Sequence, residues 1–207
     1  SVSIPSTLGG YPVVEINDNA FYNNDLSDGG DLNHITFPDT VKKIGKNAFG
    51  GRVDLLSITF PFNLEYIGEY AFSYCYGLTE ISLFDNIKHL SNGSFYYCTA
   101  LTKVTLSEGV QNIGDNVFYN CTQLSTITIP SSVKSIGKNA FYKNTKLKTI
   151  NYCGTEEQWS QIEIAEGNEY LQKATVVFNV CGHDWQDDTI KIPTSCTISK
   201  TVKQICT

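Results

Sequence analysis

Methionine is missing altogether from the 207 residues, and charged residues make up only 17% of them, against roughly 25% in a typical globular protein. This sparse charge, together with 41% hydrophobic residues, favours a core of stacked ladders. The net charge of −6 argues against a nucleic-acid partner, because a phosphate backbone requires clustered Lys and Arg. No apolar run approaches the ~20 residues that cross a bilayer, so we expect no membrane insertion. Without a starting Met or a visible signal peptide, the sequence is expected to be a mature or excised part of a longer protein.

An internal repeat of 23 residues dominates the sequence. The first Phe of the repeat, Phe21, precedes the second, Phe49, by one period plus a five-residue insertion near Leu26. Leu, Ile and Val columns keep the same step at fixed distances after each Phe. Seven columns held in register over five periods establish a repeat architecture. The marker of each period is a Phe column: Phe21, Phe49, Phe72, Phe95, Phe118 and Phe141.

Each repeat is interpreted as one coil of a solenoid. The segment Leu-x-x-Ile-x-Ile ends in the alternation of a half-buried strand, and Pro38, Pro61 or Pro130 closes it because Pro cannot donate to an inner ladder. The Ile-Gly pair that follows is expected to permit a tight or left-handed turn, with Leu90-Ser91 as the one departure. One coil alone buries nothing, so successive coils must stack around the Phe column.

The repeat unit, Ala-Phe-x-x-Cys-x-x-Leu-x-x-Ile-x-Ile-Pro-x-x-Val-x-x-Ile-Gly, resembles the BspA-like (Treponema-type) leucine-rich repeat from Ser1 to about Tyr152. The resemblance implies a β-rich α/β solenoid, wound as a right-handed coil. Residues 153–180 resemble the C-terminal cap of such arrays, and Thr155 with Gln158 forms a capping box. Residues 181–207 resemble a small Cys-containing module of secreted Gram-positive proteins. We therefore predict six coils over 1–152, a cap over 153–180 and a truncated appendage over 181–207.

Six of the seven cysteines fall into two groups. Three keep the repeat spacing and share their column with Asn, which predicts buried free thiols that satisfy turn backbone groups. Parallel Cβ directions in neighbouring coils are poor disulfide geometry. For the looser second group a disulfide, free thiols and zinc stay open, because no complete C-x-x-C pair is present. The first group is Cys75, Cys98 and Cys121, and the second is Cys181, His183, Cys196 and Cys206.

The sequence offers no recognisable catalytic constellation. His34 and His89 belong to different coils, neither has an Asp or Glu column beside it, and no Ser lies in an elbow motif. We therefore predict that the chain is not an enzyme, and we assign no catalytic residue, metal site or cofactor.

A polar face on the exposed side of the strands is the preferred binding surface. Its central column consists of residues that alternate with the inward Ile and Val positions, although β-branched Thr also suits any exposed strand. We call this surface the strand face, with a central column of Thr36, Thr59, Ser82, Thr105, Thr128 and Asn151 beside His34, Ser57, Glu80, Lys103, Thr126 and Thr149. The predicted binding residues are His34, Thr59, Glu80, Ser82, Lys103, Thr105 and Thr128.

Tyrosines on the opposite turn, next to the Phe column, form an alternative binding surface. Aromatic side chains at such an edge either cover the core or contact a protein or sugar. Tyr22 belongs to this turn, and the tyrosine rim itself is defined as Tyr74, Tyr96, Tyr97, Tyr119 and Tyr142.

The family resemblance points to a function in adhesion. It implies a secreted or cell-surface bacterial domain that binds a host or bacterial protein or glycan, and we expect a monomer. A rigid structural spacer and an accessory domain of a larger secreted enzyme are the alternatives.

Overall fold

The computed structural model describes residues 2–26 and 31–179. Each coil of this solenoid contributes a strand to one ladder and a two-residue strand to another. The two short helices are α1 (Glu156–Ser160) and α2 (Glu169–Lys173). In chain order the strands are β1 (Val2–Ser3), β2 (Thr7–Leu8), β3 (Tyr11–Pro12), β4 (Glu15–Ile16), β5 (His34–Thr36), β6 (Lys43–Ile44), β7 (Ser57–Thr59), β8 (Tyr66–Ile67), β9 (Glu80–Ser82), β10 (His89–Leu90), β11 (Lys103–Thr105), β12 (Asn112–Ile113), β13 (Thr126–Ile129), β14 (Ser135–Ile136), β15 (Thr149–Tyr152), β16 (Glu163–Ile164) and β17 (Thr175–Phe178).

Both ladders are parallel and stack equal positions of successive repeats. Val104 of β11, for example, pairs with Ile81 of β9 and with Ile127 of β13. The long ladder consists of β1-β5-β7 and β9-β11-β13-β15-β17, and the short ladder of β4-β6-β8 and β10-β12-β14-β16. β2 and β3 form an antiparallel hairpin before the array. The predicted β-rich solenoid with a step of about 23 residues is therefore confirmed.

The Phe column forms the centre of the core, as predicted. Its rings are fully buried from Phe49 to Phe141, whereas Phe21 is partly buried at the first coil. Neighbouring rings stack with centroids 5.0, 5.3, 5.5, 5.7 and 5.4 Å apart along the column. Burial of each Phe stabilises the fold by about 1.5–3 kcal/mol, and each ring is shared between two coils.

The Gly of the Ile-Gly pair is required by the close approach of two coils, and not by the left-handed turn that we expected there. A Cβ atom on Gly68 would lie 2.5 Å from the carbonyl carbon of Gly45, one coil earlier. The left-handed residues come two and six positions after this Gly: after Gly114 they are Asn116 and Asn120, each with φ 58°. Asn and Gly tolerate this conformation better than other residues do.

Both ladders are interrupted between the same two coils, after β7 and after β8. The fourth coil carries Ser91 where the repeat has Gly, and its side chain meets the preceding coil, with Oγ donating to the carbonyl of Ile67 at 2.5 Å. Other coils leave no room for a Cβ at this position, so Ser91 is accommodated where the short ladder is interrupted. The Phe column continues across the interruption, because Phe72 still stacks on Phe95.

The C-terminal cap continues the array with less regular backbone. Its capping box is formed as predicted, with both hydrogen bonds between Thr155 and Gln158. Trp159 packs on Tyr152 at 5.1 Å between ring centroids, and β17 adds a last strand to β15. Asn168 is buried, and its Oδ1 accepts a hydrogen bond from the N–H of Phe141 at 2.9 Å, where earlier coils use a backbone carbonyl. Residues 153–179 thereby supply the hydrogen-bond acceptor for the backbone N–H of the last Phe in the column.

Candidate functional site

The strand face lies on the solvent side of the long ladder, because its residues alternate with buried Ile and Val. In β9, Ile81 points into the core while Glu80 and Ser82 are exposed. The central residue is exposed in β5, β7 and β9, half-buried in β11 and β15, and buried in β13. The accessible part of the face therefore lies on the coils of β5 to β11.

Thr128 is not accessible, contrary to the sequence prediction. Only 5% of its surface is exposed. It pairs in register between Thr105 and Asn151. A partner that lies on this face can contact Thr59, Ser82 and Thr105, but it cannot reach Thr128.

His34 has both ring nitrogens occupied within the strand face. Nδ1 lies 2.7 Å from the Ser57 hydroxyl and Nε2 lies 3.1 Å from the Thr36 hydroxyl. The imidazole is half-buried by these contacts. Its geometry is that of a positioned surface residue that links two coils.

The two charges in the middle of the strand face have no ionic partner within the described chain. Glu80 and Lys103 face each other in register on β9 and β11, yet neither takes part in an ion pair of residues 2–26 and 31–179. Both side chains are exposed. They are therefore available to charged or polar groups of a partner.

The surface of the short ladder has the opposite character, since most of its charges are paired. Its ion pairs are Lys42–Glu65, Lys43–Glu15, Lys46–Glu69 and Lys138–Glu166, at 2.5–3.1 Å. The hydrogen bond from Lys138 lowers the pKa of Glu166. Two shallow grooves of about 560 and 460 Å³ follow this surface. Pairing between coils explains these charges, so we assign no site there.

The tyrosine rim is a continuous cluster of half-buried rings, each in contact with the next. The centroid distances are 5.5 Å for Tyr74–Tyr96, 4.7 Å for Tyr96–Tyr97, 4.9 Å for Tyr96–Tyr119 and 5.0 Å for Tyr119–Tyr142. Burial raises the pKa of Tyr96 to about 12, and the neighbouring phenols contribute to the shift. At physiological pH the Tyr96 hydroxyl is therefore protonated and can donate a hydrogen bond.

Sequence reasoning missed two further tyrosines of this surface. Tyr70 contacts Tyr96 with centroids 5.9 Å apart, and Tyr76 contacts Tyr74 at 6.2 Å. The ring of Tyr70 lies against Gly93, the one residue of its column that leaves space for it. In the sequence, the signal for this contact was Gly93, which stands where the next coil has Asn116. Tyr22, in contrast, lies against Gly50. Gly50 occupies the same column position as Tyr96, two coils earlier.

The tyrosines of this surface include three residues with left-handed backbone. Tyr70, Tyr74 and Tyr97 have φ 54°, 59° and 60°. For a residue with a bulky side chain this conformation costs on the order of 1–2 kcal/mol. The stacked rings remain in these positions despite that cost.

The cysteine column is structural, as predicted. Cys75, Cys98 and Cys121 are fully buried free thiols, and each donates from Sγ to the carbonyl of a Phe in the preceding coil at 3.2–3.4 Å. Burial raises the pKa of all three thiols strongly. They hold neighbouring coils together and are poor nucleophiles.

Other predicted chemistry lies elsewhere or outside the described residues. The ring of His89 pairs with the Asn112 side chain at 2.7 Å, which again links two coils. Within residues 2–26 and 31–179, no group of three His, Cys, Asp or Glu side chains is placed to hold a metal. In the same part of the chain, neither five-residue helix has the length to cross a bilayer. The group of Cys181, His183, Cys196 and Cys206 lies outside the described residues.

Comparison with known proteins agrees with this architecture. The family model of the BspA type leucine rich repeat region matches residues 14–148 in six copies. No curated protein sequence matches the chain significantly. Among solved structures, the Treponema pallidum leucine-rich repeat protein is 27% identical with a TM-score of 0.62, and the match covers 70% of this chain and 77% of that one.

Two other similar structures are considerably longer proteins. A leucine-rich cell surface protein of Faecalibacterium prausnitzii A2-165 is 30% identical with a TM-score of 0.52, over 72% of this chain and 46% of that protein. The pneumococcal vaccine antigen PcpA is 27% identical with a TM-score of 0.59, over 81% of this chain and 40% of that protein. This chain therefore spans less than half the length of either.

Proposed function

Because the chain belongs to the BspA-type leucine-rich repeat family, we propose that it is a non-catalytic binding domain of a secreted or cell-surface bacterial protein. Proteins of this family and fold are generally non-catalytic. One of the similar structures is a cell surface protein, and another is a vaccine antigen, which supports a location at or outside the cell surface. The proposed partner is a protein or a glycan of a host or of another bacterium.

The strand face is the proposed contact surface, and the unpaired charges of Glu80 and Lys103 are the observation that carries this choice. On the short ladder, several charges are paired between coils, as Lys46 is with Glu69. On the strand face Glu80 and Lys103 are adjacent but unpaired, beside the accessible hydroxyl of Ser82. This arrangement suits a polar partner that supplies the missing charges.

The expected interaction is polar and hydrated. Hydroxyl groups and isolated charges at the constant strand spacing favour direct and water-mediated hydrogen bonds over burial of an apolar anchor. We therefore propose weak to moderate affinity for a single monomeric domain. Repeated display of the domain on a surface would raise the apparent affinity through effective concentration.

A pair of arginine substitutions tests the contact surface. Ser82→Arg with Thr105→Arg places two bulky charges in the centre of the strand face. In a cell- or matrix-binding assay, this variant should lose most of its binding. The matched control is Gln161→Arg with Gln172→Arg, which adds the same charge to exposed cap residues and should bind like the wild type.

The outcomes of this assay separate the candidate surfaces and functions. Equal binding by the strand-face variant and the wild type would refute the strand face as the contact surface. Loss of binding only after Tyr96→Ala with Tyr97→Ala would transfer the site to the tyrosine rim. If all variants are folded and none changes a measurable interaction, the spacer hypothesis is favoured.

A further inference from the structure

The tyrosine rim contains features that stacking of the coils does not require. Tyr74 and Tyr97 occupy a left-handed position that Asn120 fills in the next coil, and Asn adopts this conformation with less strain. Unfavourable backbone conformations of this kind collect at functional sites. If the rim only covered the core, Asn or Gly would fold more easily at these positions.

Stacking between neighbouring rings covers part of the ring faces of the rim. The rings of Tyr96 and Tyr119 stack with an interplanar angle of 26°, and those of Tyr97 and Tyr119 with 19°, so they cover much of each other's faces. Within residues 31–179, no rim hydroxyl forms a hydrogen bond to the protein. A sugar that stacks on an aromatic ring needs an open face, whereas free hydroxyl donors and apolar ring edges suit a polypeptide with unpaired carbonyl groups.

The spacing of the rim corresponds to one type of polypeptide backbone. The centroids of Tyr96 and Tyr119 are 4.9 Å apart, and those of Tyr119 and Tyr142 are 5.0 Å apart. Alternate rings of this column are therefore roughly 10 Å apart, close to the ~9.3 Å of one turn of polyproline II helix. In that helix every backbone carbonyl lacks an internal partner, so a carbonyl can meet a rim hydroxyl at each turn.

From these observations, we propose that the tyrosine rim binds a proline-rich segment in the polyproline II conformation. Aromatic surfaces recognise such segments because the ligand is already ordered before it binds. From Tyr74 to Tyr142 the rim extends over three coil steps of ~4.8 Å, which about five residues of polyproline II match in length. This site is separate from the strand face and goes beyond the function proposed above.

The test uses the whole chain and a polyproline peptide of about ten residues, which spans ~31 Å as a polyproline II helix. Binding is followed by fluorescence anisotropy of the labelled peptide, with a Gly/Ser peptide of equal length as a flexible control. The rim variant is Tyr96→Ser with Tyr97→Asn, because the repeat itself carries Ser73 and Asn120 at these two column positions. The matched control variant is Tyr11→Ser with Tyr66→Ser, at exposed tyrosines outside the rim.

We expect saturable binding of polyproline to the wild type and to the control variant, and no binding of the Gly/Ser peptide. The rim variant should bind polyproline about tenfold more weakly or worse, while its melting temperature stays at or above that of the wild type. Absence of polyproline binding to the wild type would overturn the proposal, as would unchanged binding by the rim variant. If the wild type binds a glycan array but not polyproline, and the rim variant loses the glycan binding, the rim is a sugar-binding site instead. Neither result affects the comparison of the Ser82→Arg, Thr105→Arg variant with the wild type, which leaves the rim unchanged.

Discussion

Replacement of Phe95 by Ala removes the ring in the middle of the Phe column. This ring is fully buried and lies 5.5 Å from Phe72 and 5.7 Å from Phe118, with interplanar angles of 7° and 9°. The substitution therefore deletes the contacts of one coil with both of its neighbours. In a solenoid, stability is close to a sum of repeat and nearest-neighbour terms, so two interfaces weaken at once.

The expected loss of unfolding free energy is about 3–5 kcal/mol, the usual range for truncation of a buried Phe. In a domain of this size 1 kcal/mol lowers the melting temperature by roughly 2–4 °C, so we expect a decrease of roughly 6–20 °C. The value should lie towards the upper end, because stacked coils leave little freedom to collapse into the cavity.

Urea unfolding followed by circular dichroism measures this loss, and Phe21→Ala is the matched control. Phe21 is partly buried and, within residues 2–26 and 31–179, stacks on one ring only, that of Phe49 at 5.0 Å. It should therefore lose clearly less stability than the variant at Phe95. A transition that splits into two steps would agree with the same placement, since the coils on either side would then unfold separately.

The position of Phe95 in the core is refuted if its variant unfolds at the same urea concentration as the wild type. A loss no larger than that of Phe21→Ala would contradict the dependence on two neighbours. Either result would require a different assignment of the repeat columns to the core.

Three further predictions concern buried or crowded groups. Thiol reagents should miss Cys98 in the native protein and label it after denaturation, because it is fully buried and burial raises its pKa; fast native labelling would contradict this. Stability should decrease from about pH 10 to about pH 12, because an unfolded chain ionises Tyr near pH 10 while the folded pKa of Tyr96 is raised to about 12. This contribution is complete below pH ~10, and Tyr96→Phe should flatten that part of the profile of melting temperature against pH. Gly114→Ala should lower the melting temperature, since its Cβ would lie 2.6 Å from the carbonyl oxygen of Leu90. Ser91→Gly should not lower the melting temperature. Hydrogen exchange should show whether the Ser91→Gly substitution joins the two halves of the short ladder.

The repeat columns predicted the fold well because burial follows the period directly. Phe, Leu and Ile columns identified the core, and the strand alternation identified the strand face. The capping box of Thr155 and Gln158 likewise depends on local spacing alone. Features that depend on one coil or on adjacent residues in sequence were therefore accessible without coordinates.

Features that depend on contacts between coils were harder to predict. The role of Gly68 follows from a backbone one coil away. The burial of Thr128 has no signal in its column, whose residues in β5, β7 and β9 are exposed. The interruption of the ladders had a signal in the departure at Ser91, but its consequence depends on how closely the coils approach. Left-handed backbone at Tyr97 had a signal only in Asn120, which stands at the same column position in the next coil.

The central claim is that this domain binds its partner through the strand face, and site-specific photo-crosslinking tests it most directly. A photo-crosslinking amino acid replaces Ser82 in one variant and Gln172, on α2, in another, and each is incubated with the cells or matrix that bind the wild type. We predict strong crosslinking of a partner from position 82 and little from position 172. Crosslinking from position 172 with none from position 82 would contradict the account.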